Sequence, residues 1–83
     1  MFTILITEDN RNTARLMEVV LSQNGYQTLW AKDGLEALDI LDKNHVDLIL
    51  LDIMMPKMDG YEFTKILRES GSRIPILMVT AKD

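Results

Sequence analysis

The chain has 83 residues and a formal net charge of −4, enough for one small domain without a basic surface for nucleic acid or anionic lipid. It contains no cysteine, which excludes disulfides and cysteine-based zinc sites, and its longest apolar run is far too short to span a bilayer. The N-terminal residues MFTILITED lack the basic region and cleavage pattern of a signal peptide, so we expect a cytoplasmic domain that binds neither nucleic acid nor membranes.

The first half of the chain alternates between strand and helix patterns. An apolar, β-branched-rich segment predicts a strand over residues 2–7, and a more mixed segment predicts an edge strand over residues 26–31. Between the two strands, a first helix is predicted to begin at the N-cap Asn10 and to end before Gly25, with apolar residues at helical spacing: Leu16, Met17, Val20 and Leu21. A second helix is predicted after the second strand, over residues 35–43.

The second half continues this alternation. Residues 46–51 form an unbroken apolar run that stops at the carboxylate of Asp52, which is typical of a parallel strand covered on both faces. Residues 61–70 predict a third helix followed by Gly71, and Pro75 opens the apolar strand IPILMVT. The order βαβαβαβ with short connections predicts an open parallel α/β sheet, whose ligand sites lie beyond the carboxyl ends of the strands.

Polar side chains follow three of the predicted strands at that edge. Glu8 and Asp9 follow the first strand, Asp52 follows the third and Thr80 ends the fourth. Unneutralised carboxylates that lie close together repel one another and raise one another's pKa values. A divalent cation that prefers oxygen ligands, such as Mg²⁺, would remove this repulsion. The single histidine, His45, is predicted at the opposite ends of the strands, so nothing favours zinc.

Each of these residues also has a plainer interpretation. Glu8 and Asp9 could be acids at a helix start that interact with its dipole, and Asp52 could cap the turn that follows it. The chemical interpretation of Asp52 is that a carboxylate attacks phosphorus and forms an acyl phosphate, with the hydroxyl of Thr80 donating to a phosphoryl oxygen.

Three motifs in order resemble the receiver domain of response regulators, the phospho-accepting part of two-component signalling. They are the pair ED after the first strand, LLDIMMPKMDG around the end of the third, and PILMVTAKD at the fourth. The resemblance implies a flavodoxin-like sheet and a signalling module, not an enzyme, that takes a phosphoryl group from a sensor histidine kinase. It also implies that Asp52 is the phosphoacceptor, that Thr80 is the switch hydroxyl, and that Mg²⁺ is held by Glu8, Asp9, Asp52 and the backbone carbonyl of Met54.

The chain departs from the family pattern at its end. The family resembles five βα units, whereas this chain stops three residues after Thr80, so the last helix, strand and helix have no counterpart. The family's phosphate-pairing lysine is missing too, because Lys82 follows Thr80 too closely to replace it. We therefore expect a partial receiver domain over residues 1–83 with impaired phosphoryl chemistry. An interaction module that is not phosphorylated remains the alternative.

The fourth predicted strand is also left as a bare apolar edge in the implied strand order. Such edges pair readily with another chain or exchange strands, which predicts self-association as an edge-paired or swapped dimer.

The remaining candidates have structural interpretations. A phosphatase of the haloacid-dehalogenase type needs a second aspartate two residues after the nucleophile, where this chain has Met54, so that class is disfavoured. Asp59 is predicted to be a turn residue or a helix N-cap and not a ligand. Trp30 is interpreted as a structural residue of the edge strand and a poor reporter of metal binding, and His45 as a solvent-exposed loop residue.

Overall fold

The computed structural model describes residues 1–52 and 58–79, and within these ranges strands and helices alternate along the chain. Four strands and three helices follow one another in these ranges: β1 (Thr3–Thr7), α1 (Arg11–Gln23), β2 (Gln27–Ala31), α2 (Gly34–Lys43), β3 (Leu48–Asp52), α3 (Gly60–Glu69) and β4 (Ile76–Val79). None of the described helices is long and apolar enough to cross a membrane.

Each described helix begins at an asparagine or aspartate N-cap, whose side chain accepts a hydrogen bond from a backbone N–H group of the first turn that has no partner within the helix. Asn10 accepts a hydrogen bond from Thr13 N, and Asp59 accepts one from Glu62 N, so both predicted N-caps are confirmed. Glycines with positive φ follow α1 and α3, at 88° for Gly25 and 93° for Gly71. Most other residues resist this left-handed conformation, so a glycine that adopts it marks the end of a helix. Both predicted helix ends lie within a residue or two of the observed ones.

The described strands form one parallel sheet in the order β2-β1-β3-β4. This arrangement confirms the predicted open α/β fold and places the mixed strand β2 at one edge. Strand β3 covers Leu48–Asp52 and not the predicted residues 46–51. The reason is that the Asp47 carboxylate accepts the Thr3 amide hydrogen at 2.8 Å, so a side chain occupies the donor that a longer strand would use.

The two faces of the sheet are covered unequally. Helices α2 and α3 cover one face, where the core is built from buried residues that include Leu5, Ile49, Leu51, Phe63 and Leu67. Helix α1 lies on the other face, where its Leu21 joins an apolar hollow of about 510 Å³ also lined by Phe2, Ile4, Tyr26, Leu48, Leu50 and Leu77.

The alternating side chains of β3 show the same inequality. Ile49 and Leu51 are fully buried, whereas Leu48 and Leu50 are half-buried at the hollow. The expected coverage of both strand faces is therefore complete on one face and partial on the other, within the described residues. In α1, Leu16 and Val20 are exposed although they share the helical apolar spacing.

Candidate functional site

Two parallel strands carry three carboxylates to one edge of the sheet. Thr7 pairs with Leu51, so the next residues along the two strands, Glu8 and Asp52, lie side by side at the carboxyl edge of the sheet. One carboxylate oxygen each from Glu8, Asp9 and Asp52 lies within 4.8 Å of the others. The structure thus brings together three of the predicted site residues, two of which are almost fully buried: Glu8 is 5% and Asp52 6% exposed.

Hydrogen bonds to residues of two segments, strand β2 and the start of helix α1, hold Glu8. Its amide donates to the Ala31 carbonyl at 3.0 Å, and its own carbonyl accepts from the indole Nε1 of Trp30 at 2.8 Å. Its carboxylate Oε2 accepts from the amide of Asn10 at 3.1 Å. Asn10 in turn caps α1, so the start of that helix and the end of strand β2 together hold Glu8 in place.

Burial and neighbouring charge act against ionisation of Glu8. Loss of solvation raises its pKa from the usual 4.5 to about 6, and the nearby Asp52 and Asp9 carboxylates add to this rise. The hydrogen bond from the Asn10 amide acts in the opposite direction but is outweighed. The expected repulsion within the cluster is therefore present at Glu8, and part of this carboxylate is protonated near pH 6.

This cluster matches the ligand preferences of a hard divalent cation. All three groups offer carboxylate oxygen, one of them is exposed to solvent, and a cation among them would offset the repulsion that raises the pKa of Glu8. Mg²⁺ binds one or two carboxylates and keeps several waters, so an open cluster of this kind fits it better than an enclosed cage would.

Two predicted site residues lie outside the described part of the chain. They are Met54, predicted to offer its carbonyl to the metal, and Thr80, predicted to be the switch hydroxyl. Their roles stay predictions.

The structural interpretations of Asp59 and His45 are confirmed. Asp59 caps α3, and its carboxylate accepts the Glu62 amide hydrogen at 2.8 Å. His45 is 84% exposed at the opposite end of the sheet and contacts Asp47 at 2.9 Å.

Two residues, Asp33 and Trp30, have hydrogen-bonding roles that were not predicted from the sequence. Asp33 is buried and caps α2 by accepting the Glu36 amide hydrogen at 2.8 Å. A local signal existed for it, because an aspartate followed three residues later by a glutamate is typical of a helix start. Trp30 contacts the backbone of Glu8 across 22 positions of sequence, and no local pattern indicates such a bond.

Comparisons with known proteins agree with this geometry. A family model described as "Response regulator receiver domain" matches residues 4–83. "Response regulator MprA" of Mycobacterium sp. (strain KMS) is 44% identical over 80 residues, which are 96% of this chain and 35% of that protein. The chain therefore spans about a third of that relative.

Two further comparisons bear on partners and metal. "Sensor histidine kinase RcsC" of Escherichia coli (strain K12) is 44% identical over 78 residues, which are 94% of this chain and 8% of that protein. The solved structure of response regulator protein TrrA from Thermotoga maritima, in complex with Mg²⁺-BeF, has a TM-score of 0.92 at 32% identity. It is covered over 72% of its length by the whole of this chain.

Proposed function

The chain belongs to the response-regulator receiver-domain family, and we propose that it accepts a phosphoryl group on Asp52 from a sensor histidine kinase, with Mg²⁺ held by Glu8, Asp9 and Asp52. The observation that carries this proposal is the convergence of three carboxylate oxygens within 4.8 Å at the carboxyl edge of a parallel sheet. Asp52 is the member of the cluster that ends the central strand β3.

The proposed transfer uses the Asp52 carboxylate as a nucleophile. One of its oxygens attacks the phosphorus of a phosphohistidine, and the phosphorus–nitrogen bond breaks as the new phosphorus–oxygen bond forms. The electron pair of the broken bond leaves with the imidazole nitrogen, and an acyl phosphate remains on Asp52. Bound Mg²⁺ would supply positive charge to the phosphoryl oxygens. Strand β3 supplies orientation, because its neighbours β1 and β4 pair with it on both sides.

Two features of the relatives support the partner and the metal. TrrA was solved in complex with Mg²⁺-BeF. A region 44% identical to this chain lies within a protein named as a sensor histidine kinase, which supports a kinase of that class as the phosphodonor. The carbonyl of Met54 and the hydroxyl of Thr80 complete the proposed site.

A small phosphodonor such as acetyl phosphate, added with Mg²⁺ and followed by intact mass, tests the proposal. We expect one phosphoryl adduct on the wild-type chain and none on Asp52→Asn, with Asp47→Asn as a matched control that keeps the adduct. The same reaction separates the alternative of an interaction module. No adduct on the 83-residue chain, under conditions that label a complete receiver domain, would support that alternative.

We also propose that this chain self-associates through β4 and the apolar hollow beside it. Among the described strands, β4 pairs with β3 alone, and its Leu77 is 55% exposed at the rim of the hollow. A strand with one unpaired edge next to uncovered apolar surface favours pairing with another strand. Light scattering at tens of micromolar is expected to give a mass above one chain.

Two substitutions sharpen this measurement. Leu77→Lys places a charge at the rim of the hollow and is expected to shift the chain to monomer. Tyr61→Lys, at a somewhat more exposed position on α3, is expected to leave the mass unchanged. A wild-type mass equal to one chain would contradict the proposed self-association without affecting the phosphoacceptor proposal.

A further inference from the structure

Trp30 makes a hydrogen bond that ties the edge of the sheet to the acidic cluster. Its half-buried indole lies on the edge strand β2, and Nε1 donates to the backbone carbonyl of Glu8 at 2.8 Å. Trp30 is the one tryptophan of the chain. Its contact with the cluster is therefore a property of a single side chain that can be changed and observed separately.

The bond occurs where main-chain pairing between β1 and β2 ends. The last pair in the register is Thr7 with Ala31, and the Glu8 amide still donates to the Ala31 carbonyl at 3.0 Å. Beyond this point the Glu8 carbonyl has left the strand pairing, and the indole N–H provides its donor. A buried carbonyl without a donor would carry a desolvation cost. The indole of this side chain removes that cost by donating to a carbonyl that lies beyond the last backbone pair of the two strands.

The Glu8 carbonyl belongs to the peptide unit that joins Glu8 to Asp9. The orientation of this peptide determines the direction in which both acidic side chains leave the backbone. The carboxylates of Glu8, Asp9 and Asp52 repel one another. When no cation lies between them, a movement of the Glu8–Asp9 segment away from Asp52 lowers the electrostatic free energy. A hydrogen bond to this peptide resists that movement.

We propose that Trp30 is a positioning residue that holds the Glu8–Asp9 peptide in the geometry that binds a divalent cation. It acts through the Glu8 carbonyl and does not itself contact the metal. The inference rests on the proposed Mg²⁺ site and adds a residue that the sequence had left with a purely structural interpretation. A prearranged cluster binds its cation more tightly than one that must first be reassembled against charge repulsion.

Two variants remove the donor in different ways. Trp30→Phe removes the N–H together with part of the ring, so it also changes packing. In a chemically synthesised chain, benzothienylalanine at position 30 replaces the indole N–H by sulfur and keeps nearly the same shape. The control is Tyr26→Phe, which removes one polar atom from an aromatic ring that packs on Phe2, just before the other end of strand β2.

Calorimetric titration with Mg²⁺ alone measures the effect, and urea unfolding without metal measures the stability of each variant. We expect both Trp30 variants to bind Mg²⁺ about threefold to tenfold more weakly, the range that loss of one hydrogen bond allows. The control is expected to bind as wild type. In the wild-type chain, the single indole N–H resonance in a ¹H–¹⁵N spectrum is expected to shift on addition of Mg²⁺ in step with the calorimetric curve.

The outcomes separate the two proposals. If the wild-type chain takes up no Mg²⁺ by either method, the metal site is wrong and the role of Trp30 falls with it. If the wild type binds Mg²⁺ and the benzothienylalanine chain binds it equally well, the metal site stands and the positioning role is wrong. Weaker binding by a benzothienylalanine chain that unfolds at the wild-type urea concentration supports the positioning role.

Discussion

Both ends of the parallel sheet carry carboxylates, but their surroundings shift the pKa values of Asp47 and Glu8 in opposite directions. At the amino end, Asp47 accepts the Thr3 amide hydrogen at 2.8 Å and contacts His45 at 2.9 Å. The Thr3 hydrogen bond first, and His45 second, hold the pKa of Asp47 below its usual 3.8. At the carboxyl end, burial and the neighbouring acids raise the pKa of Glu8 to about 6.

The contrast distinguishes a structural carboxylate from one available for binding. Asp47 accepts hydrogen bonds from groups of the chain itself and joins the first residue of β1 to the start of β3. Glu8 receives one amide hydrogen on its carboxylate and lies beside two further acids, so its charge is poorly compensated. A group whose charge is left uncompensated in a folded domain is a candidate for a cation or for chemistry.

The largest expected difference between the two ends is in Mg²⁺ affinity. Asp52→Asn removes one of three carboxylates from the cluster and is expected to weaken Mg²⁺ binding by at least about tenfold. Asp47→Asn makes the same chemical change at the other end and is expected to leave the affinity unchanged. Isothermal titration of both variants measures this, and equal losses in the two would remove the distinction between the ends.

The next effect concerns the free energy of unfolding without metal. Glu8→Gln removes the buried charge, keeps an acceptor for the Asn10 amide, and is expected to stabilise the metal-free chain by about 1 to 2 kcal/mol at pH 7. The same substitution is expected to weaken Mg²⁺ binding. Urea denaturation with and without Mg²⁺ tests both parts, and a metal-free variant less stable than wild type would show that Glu8 is a structural carboxylate like Asp47.

The destabilising effect of the buried Glu8 charge should also appear in the dependence of the free energy of unfolding on pH, with a similar or smaller magnitude. Between pH 4.5 and about 6 the folded chain keeps a proton on Glu8 that the unfolded chain has released, so its free energy of unfolding falls as pH rises. We expect metal-free wild type to be more stable near pH 5 than at pH 7, by up to about 1 to 2 kcal/mol.

Two controls isolate the contribution of Glu8 from the general acidity of the chain. Glu8→Gln is expected to flatten the slope between pH 4.5 and 6, because the titrating group has gone. Saturating Mg²⁺ is expected to stabilise the chain more at pH 7 than at pH 5, because protons compete with the metal for Glu8. A slope that survives unchanged in Glu8→Gln would assign it to other carboxylates.

The smallest effect is expected at the amino end. His45→Ala removes an exposed partner of Asp47 but leaves the Thr3 hydrogen bond, so its unfolding midpoint in urea should stay close to wild type. Asp47→Asn weakens the Thr3 bond itself and should lower the midpoint more. The stability that Asp47 contributes is lost as pH falls below 3.8, because its folded pKa is depressed. A larger loss in His45→Ala than in Asp47→Asn would reverse the assigned order of the two bonds.

Much of this arrangement could be predicted from the sequence where short-range signals or the parallel-sheet rule applied. Asn10 and Asp59 were identified as caps because a cap depends on an amide three residues away. Glu8 and Asp52 were placed together, although 44 positions separate them, because carboxyl ends of parallel strands share one edge. The start of β3 was misplaced because it depends on a contact between Asp47 and Thr3, which no local pattern encodes.

The alternation of elements, the helix ends and the three carboxylates at the ends of two strands are encoded locally, because they follow from periodicity and from contacts within a few residues. Three features depend instead on the folded chain: the burial and raised pKa of Glu8, the hydrogen bonds that Thr3 and His45 make to Asp47, and the hydrogen bond from Trp30 to the Glu8 carbonyl. Desolvation and long-range hydrogen bonds depend on the register between strands. That register exists only when the sheet is assembled and its helices are packed.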